Sequence, residues 1–137
     1  YISTLPSSPN GVLVQGDRLY IASWGVMSDR PEERAEWITK TAGDLYWVSL
    51  KDSSKSRHII VPELGNLDGV EIDQKGNIYV SDWESGKLYK ISSGTKTVVG
   101  LGQYGQGLAD IGLNPLTGEL ALPVMLSSEV LFLATSP

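Results

Sequence analysis

Leu67-Asp68-Gly69-Val70, then Gly76-Asn77-Ile78-Tyr79-Val80-Ser81-Asp82-Trp83, then Gly86-Lys87-Leu88-Tyr89-Lys90-Ile91, is the stretch that decides the fold. The chain writes it three times. Asn10-Gly11-Val12 precedes Gly16-Asp17-Arg18-Leu19-Tyr20-Ile21-Ala22-Ser23-Trp24, with Gly43-Asp44-Leu45-Tyr46-Trp47-Val48 further on. Asp110-Ile111-Gly112 precedes Gly118-Glu119-Leu120-Ala121-Leu122-Pro123, with Ser128-Glu129-Val130-Leu131-Phe132-Leu133 after it. Repetition on this scale belongs to units stacked on one another, each unable to bury its apolar face alone.

Each unit reads as short strands separated by turn residues. In the middle unit the strands fall at about Gly69–Asp73, Asn77–Trp83, Lys87–Ser92 and Lys96–Val99. In the first they fall at about Gly11–Gln15, Arg18–Trp24, Asp44–Ser49 and Arg57–Val61. The third gives about Ala109–Leu113, Glu119–Val124 and Glu129–Ala134, and stops one strand short. The fold class is all-β: a β-propeller with three four-stranded blades per chain, half of a six-bladed ring. Residues 1–137 form a single half-propeller domain. Three blades do not close a ring, which takes roughly four to eight. Two copies of the chain would, and so would one copy with a complementary half. The orphan strand Tyr1–Leu5 is expected to complete the third blade of the partner and cover its edge. The chain opens on Tyr1 rather than Met, as expected of a processed chain or an excised piece.

One segment breaks the repeat. Between the second and third strands of the first unit, residues 25–42 form an inserted, lid-like loop. Within it, Asp29–Ile38 reads as a short helix, capped by Asp29, with Glu32 completing a capping box and Pro31 in the first turn. Trp37 and Ile38 mark a loop that docks.

Composition narrows the function classes. The 137 residues are 41% hydrophobic and 20% charged, ordinary for a soluble globular domain. The net charge of −5 disfavours nucleic acid and anionic membrane surfaces and suits metal cations. No apolar run has the ~20 residues of a membrane helix. Cysteine is absent, which excludes disulfides and thiolate metal sites and leaves the redox compartment open.

Asn10, Asp68 and Asp110 each open the innermost strand of a unit. In a propeller those strands line the central channel, so the three side chains are expected to converge at one end of it. Oxygen donors of this kind suit Ca2+ or another divalent cation, completed by waters and a substrate oxygen. The competing reading is that Asn-Gly and Asp-Gly are turn dipeptides that only start a strand. Trp24 and Trp83 sit at matching places in the second strands, where blade packing competes with contact to a small-molecule substrate; Trp37 is the corresponding contact on the lid. The lone His58 reads as a solvated edge residue, and the tract Gly100–Gly107 as a connector.

Ser8-Pro9-Asn10-Gly11, Leu67-Asp68-Gly69-Val70 with Gly76-Asn77-Ile78-Tyr79-Val80, and Leu108-Ala109-Asp110-Ile111 with Asn114-Pro115-Leu116-Thr117-Gly118 resemble the gluconolactonase/regucalcin-like and paraoxonase-like propellers. The resemblance covers nearly the whole chain and about half of such a protein. It implies a six-bladed ring holding Ca2+ or another divalent ion in its channel, and hydrolysis of lactones or esters. It implies Asn10, Asp68 and Asp110 as metal ligands, with Asp68 or Asp110 as general base to a water. Where those families tend to carry Asp-Asn, this chain has Ala109-Asp110. Their first-blade glutamate ligand has no counterpart, and no catalytic His is evident. The alternatives are a non-catalytic binding or scaffolding propeller of the NHL type, and a half-unit whose property is assembly.

Overall fold

The structure, a computed structural model, describes residues 7–52, 54 and 56–135. Tyr1–Leu5 lies outside the described residues. The strands, in chain order, are β1 (Ser8–Gln15), β2 (Arg18–Met27), β3 (Thr39–Ser49), β4 (Arg57–Gly65), β5 (Leu67–Ile72), β6 (Ile78–Asp82), β7 (Lys87–Ile91), β8 (Val98–Gln103), β9 (Gly112–Leu113), β10 (Glu119–Val124) and β11 (Glu129–Ala134). They form two four-stranded sheets, in the orders β1-β2-β3-β4 and β5-β6-β7-β8, and a three-stranded sheet of β9, β10 and β11 with β10 in the middle. The chain is all-β with antiparallel neighbours, and each sheet is built from consecutive strands. Two compact units result, 1–67 and 68–137.

The first unit is a single sheet. Tyr20, Ile21 and Ala22 of β2 and Leu45, Tyr46 and Val48 of β3 are the buried hydrophobic residues of its two central strands, alanine included. Val12 and Val14 of β1 stay exposed. Trp47 of β3 is sandwiched: His58 stacks on it at 4.0 Å and 10°, and the Arg18 guanidinium lies 4.1 Å from the ring centroid. His58 is therefore exposed, as expected of an edge residue, but it is held by a ring rather than by solvent alone. Tyr46 is fully buried, and its hydroxyl has no hydrogen-bond partner there.

The second unit holds the other two sheets. β10 alternates strictly, with Leu120, Leu122 and Val124 buried and Glu119 exposed. These three join Tyr79, Leu88, Leu108 and Ile111 in one apolar core. Burying each large aliphatic side chain contributes about 1.5–3 kcal/mol. β6 is buried along its whole length, as expected of a strand covered on both faces.

Several boundaries differ from expectation. β8 starts at Val98 and runs to Gln103, because Ser92–Thr97 closes a turn in which Lys96 takes a positive φ of 55°. Half of the tract read as a connector is thus paired strand. The insertion at 25–42 is in part an extension of β2 and β3, which pair out to Met27 and Thr39. Its helix, α1, covers only Pro31–Ala35. Asp29 does not cap it. The N-cap position is Arg30, whose backbone N–H is held by Ser28 Oγ, while Asp29 pairs with Lys40 at 2.8 Å. Nor does Glu32 close a box; Glu33 accepts from Ser28 Oγ and pairs with Arg30.

The orphaned Tyr46 hydroxyl costs desolvation and gains nothing there. Tyr46→Phe is expected to leave unfolding stability unchanged or raise it by about 1 kcal/mol, as read by urea denaturation; a large loss would reveal a partner for that hydroxyl.

Candidate carboxylate site

Two of the three inner-strand residues sit in β-bulges. In β1, Pro9 pairs with Ser23 and Gly11 with Ala22, which leaves Asn10 as an extra, unpaired residue. In the third repeat, the bridge Leu108–Val124 and the pair Gly112–Ala121 bracket Asp110 and Ile111: four steps on the inner segment face three on β10. Such bulges bend the strand and re-aim a side chain, and they favour rims and sites. This is also why β9 is two residues long where Ala109–Leu113 was expected. The Leu108–Ala109 end still pairs with β10, through Ala109 N–H to Pro123 O at 3.0 Å.

Asp68 and Asp110 both belong to the second unit, and the fold places their backbones side by side. Gly69 makes this possible. A Cβ on Gly69 would fall 2.4 Å from Ile111 N and 2.8 Å from Asp110 Cα, so no other residue fits without moving one segment. Ser81 fastens the approach. Its buried hydroxyl accepts the Gly69 N–H at 2.8 Å and donates to Ala109 O at 2.8 Å. Asp110 is exposed and Asp68 half-buried. Asn10 lies in the first unit, exposed, where its Nδ2 donates to Leu67 O at 3.3 Å. Neither unit by itself gathers all three predicted ligands.

Another carboxyl, Glu71, lies within electrostatic reach of Asp110, and sequence reasoning missed it. Burial pushes the Glu71 carboxyl above the ordinary glutamate range; a backbone hydrogen bond from Leu113 works against the rise, and the Asp110 charge adds to it. Glu71 follows Gly69 on the same face of β5. Among the described residues, no group of three or more His, Cys, Asp or Glu side chains is arranged to hold a metal ion. The carboxylate oxygens of Asp68 and Asp110 are the donor type a hard cation takes, but they supply only part of a coordination shell of roughly six to eight oxygens.

The three tryptophans divide. Trp24 and Trp37 meet in the first unit, edge to face at 6.4 Å and 75°, with Trp24 Nε1 donating to Trp37 O at 2.9 Å. Trp37 follows the end of α1 with φ 61°, a left-handed conformation normally left to Gly, and remains 66% exposed. Trp83 is in the second unit, half-buried, and its carbonyl accepts the Gly107 N–H at 2.8 Å. Asp82 forms a strand-end turn, its Oδ1 accepting from Glu84 and Ser85 N–H.

Ser23 and Ser81 are the other residues the sequence did not single out. Each lies thirteen positions after its repeat's Asn10 or Asp68. Ser23 Oγ accepts from Ser7 Oγ and from Asp44 N–H, and donates to Asp44 O, all at 2.8 Å. The recurring Ser before Trp24 and before Asp82-Trp83 was the available signal.

Ser81→Ala would leave the Gly69 N–H and the Ala109 carbonyl buried and unpaired. It is expected to destabilise the protein by about 2 kcal/mol or more, measured by denaturant unfolding; a neutral result would mean the two segments are held otherwise. Glu71, with a raised pKa, binds its proton more tightly folded than unfolded. Its contribution is therefore present below the ordinary glutamate pKa and is lost as pH rises through the folded value. Glu71→Gln should raise the melting temperature near about pH 7 and leave it unchanged near about pH 3.5. An equal effect at both pH values would contradict the placement.

No protein-family model matches the chain, and no curated protein does. Among solved structures it is similar to an auxiliary nutrient binding protein from Bacteroides thetaiotaomicron, with a TM-score of 0.62 at 14% identity. The match covers 89% of this chain and 30% of that one. At this identity the likeness is one of fold, shared with a segment of a much longer chain.

Proposed function

We propose that the chain supplies blades to a β-propeller and that the assembled ring binds a small molecule at its inner-strand carboxylates, Asp68 and Asp110, with a divalent cation, Ca2+ first, as the bridging charge. Three successive antiparallel sheets of consecutive strands support the blade reading. The observation that carries the site is the bulge at Asp110, packed on Gly69 and beside Glu71. Closure needs more blades than these three. They come from a second copy, from a complementary half, or from further length of one protein. The solved neighbour is described as a nutrient binding protein, which favours ligand binding without chemistry over turnover.

The second reading is a metal-dependent lactone or ester hydrolase of the gluconolactonase or paraoxonase kind. Glu71 favours it. A carboxyl whose pKa is raised by burial is a stronger base toward water, a role assigned from sequence to Asp68 or Asp110. A bound divalent ion would polarise the carbonyl of such a substrate. Asp68 and Asp110 would hold and orient it.

Calorimetric titration of the full chain with Ca2+ tests the site. Asp68→Asn and Asp110→Asn are each expected to weaken binding about tenfold or more, and a double variant that keeps its affinity would end the proposal. A lactone panel then separates the two readings: turnover lost in Glu71→Gln with Ca2+ affinity retained selects the hydrolase, and no turnover selects the binding module. Native mass measurement shows whether two copies associate.

A further inference from the structure

A cleft of about 380 Å3 lies at the other end of β5 from Asp68. It opens between the β5–β6 turn and the β9–β10 turn, with Lys90 of β7 and Thr135 on its walls. Gln74 Nε2 donates to Pro115 O at 2.7 Å and ties the two turns across it. The volume falls within the range of small-molecule sites.

The polar groups of the cleft are unevenly used. Its one carboxylate is saturated. Asp73 Oδ1 accepts the backbone N–H groups of Lys75 and Asn77, both at 2.9 Å, and Oδ2 accepts Asn77 Nδ2 at 2.8 Å and the Tyr79 hydroxyl at 3.1 Å. Burial pushes that carboxyl up, and these hydrogen bonds outweigh it and hold its pKa below the ordinary range. Asn114 Oδ1 is likewise taken, by the N–H groups of Leu116 and Thr117. The unspent charged groups are donors. Among the described residues neither Lys75 nor Lys90 is in an ion pair, and Lys90 has only the face of Tyr79 at 5.7 Å. The amide NH2 of Asn114 donates to no described residue. Two cations against one satisfied carboxylate leave a local positive charge, in a chain of net charge −5. Ile72, Leu113, Pro115 and Leu116 supply the apolar part of the wall, and Leu116 is 91% exposed.

We propose that this cleft binds a small organic anion, its acidic head on Lys75 and Lys90 and its apolar body against Leu113, Pro115 and Leu116. The head is a carboxylate or a phosphate, the two groups that meet paired ammonium donors with charge-assisted hydrogen bonds. This site is separate from the Asp68–Asp110 pair and does not depend on it.

The test is calorimetry on the full chain at low salt with benzoate, benzylamine and inorganic phosphate as probes. Benzoate is expected to bind and benzylamine, the same body with the opposite charge, is not. Phosphate competing with benzoate would support a head-dominated site, and failure to compete would support a carboxylate carrying its own apolar body. Lys75→Gln and Lys90→Gln should each weaken benzoate about tenfold, with Ca2+ titration unchanged. Leu116→Asp, at a position the core does not use, should weaken it as well. Benzylamine binding as tightly as benzoate, no binding of either anion, or full affinity in the double lysine variant would overturn the proposal.

Discussion

The second unit depends on one buried hydroxyl. Ser81 takes the N–H of Gly69 and gives its proton to Ala109 O, and so joins the inner strand of one sheet to the segment leading into the next. Neither group has water to fall back on, so each bond avoids a desolvation cost as well as adding its own small gain. The absent side chain at Gly69 completes the constraint, because the backbones at Asp110 and Ile111 come closer than a Cβ allows. The apolar core around Tyr79, Leu88, Leu120 and Leu122 supplies most of the stabilisation. That core is non-directional. The serine and the glycine fix which residues of the two sheets meet, and hence where Asp68 and Asp110 lie.

The first unit solves the same problem with different partners. Ser23 occupies the Ser81 position of its repeat, but it spends its hydroxyl on both backbone groups of Asp44 and on Ser7. Gly43 stands beside it, where a Cβ would collide with Ser23 O at 1.7 Å. A serine with a glycine against it thus recurs as a joint, inside one sheet in the first case and between two sheets in the second. The extended β2–β3 hairpin follows from that first joint. With Ser23 locked to Asp44, the two strands continue outward to Met27 and Thr39 and carry α1 and Trp37 with them. Trp37, exposed and held in a left-handed conformation, is then displayed by a braced hairpin rather than by a loose loop.

Much of this architecture was legible in the repeat. Strands overlap all eleven places expected within the three units, Tyr1–Leu5 lying outside the described residues, and the third sheet has three strands where the sequence supplied three. Alternation and turn residues carry that information locally. What was illegible depends on backbone detail. A bulge adds one residue without altering composition, so Asn10 and Asp110 read as ordinary strand starts. Asp29 does not cap the helix, whose N-cap position is Arg30, because Lys40, eleven residues on, claims the aspartate. Glu71 looked like one more charged residue on a strand, since its distinction is burial beside Asp110, which no local pattern encodes. Ser23 and Ser81 were on the page in identical offsets, yet serine in a strand carries no signal until its buried partners are known.

The β5–β6 hairpin has opposite electrostatics at its two ends, and this follows from how each carboxylate is treated. At one end Asp68 and Asp110 sit on adjacent backbones, and Glu71 nearby responds to burial and then to the Asp110 charge. Like charges gather at that end. At the other end Asp73 collects four hydrogen bonds and is stabilised as an anion, so the lysines around it are left over. The same residue type therefore ends beside another carboxyl in one place and, in the other, beside lysines that form no ion pair among the described residues. In a chain whose net charge is negative, the second is the less expected outcome. It arises because a turn satisfies its aspartate from within, through backbone N–H groups and one asparagine, and needs no lysine to do so.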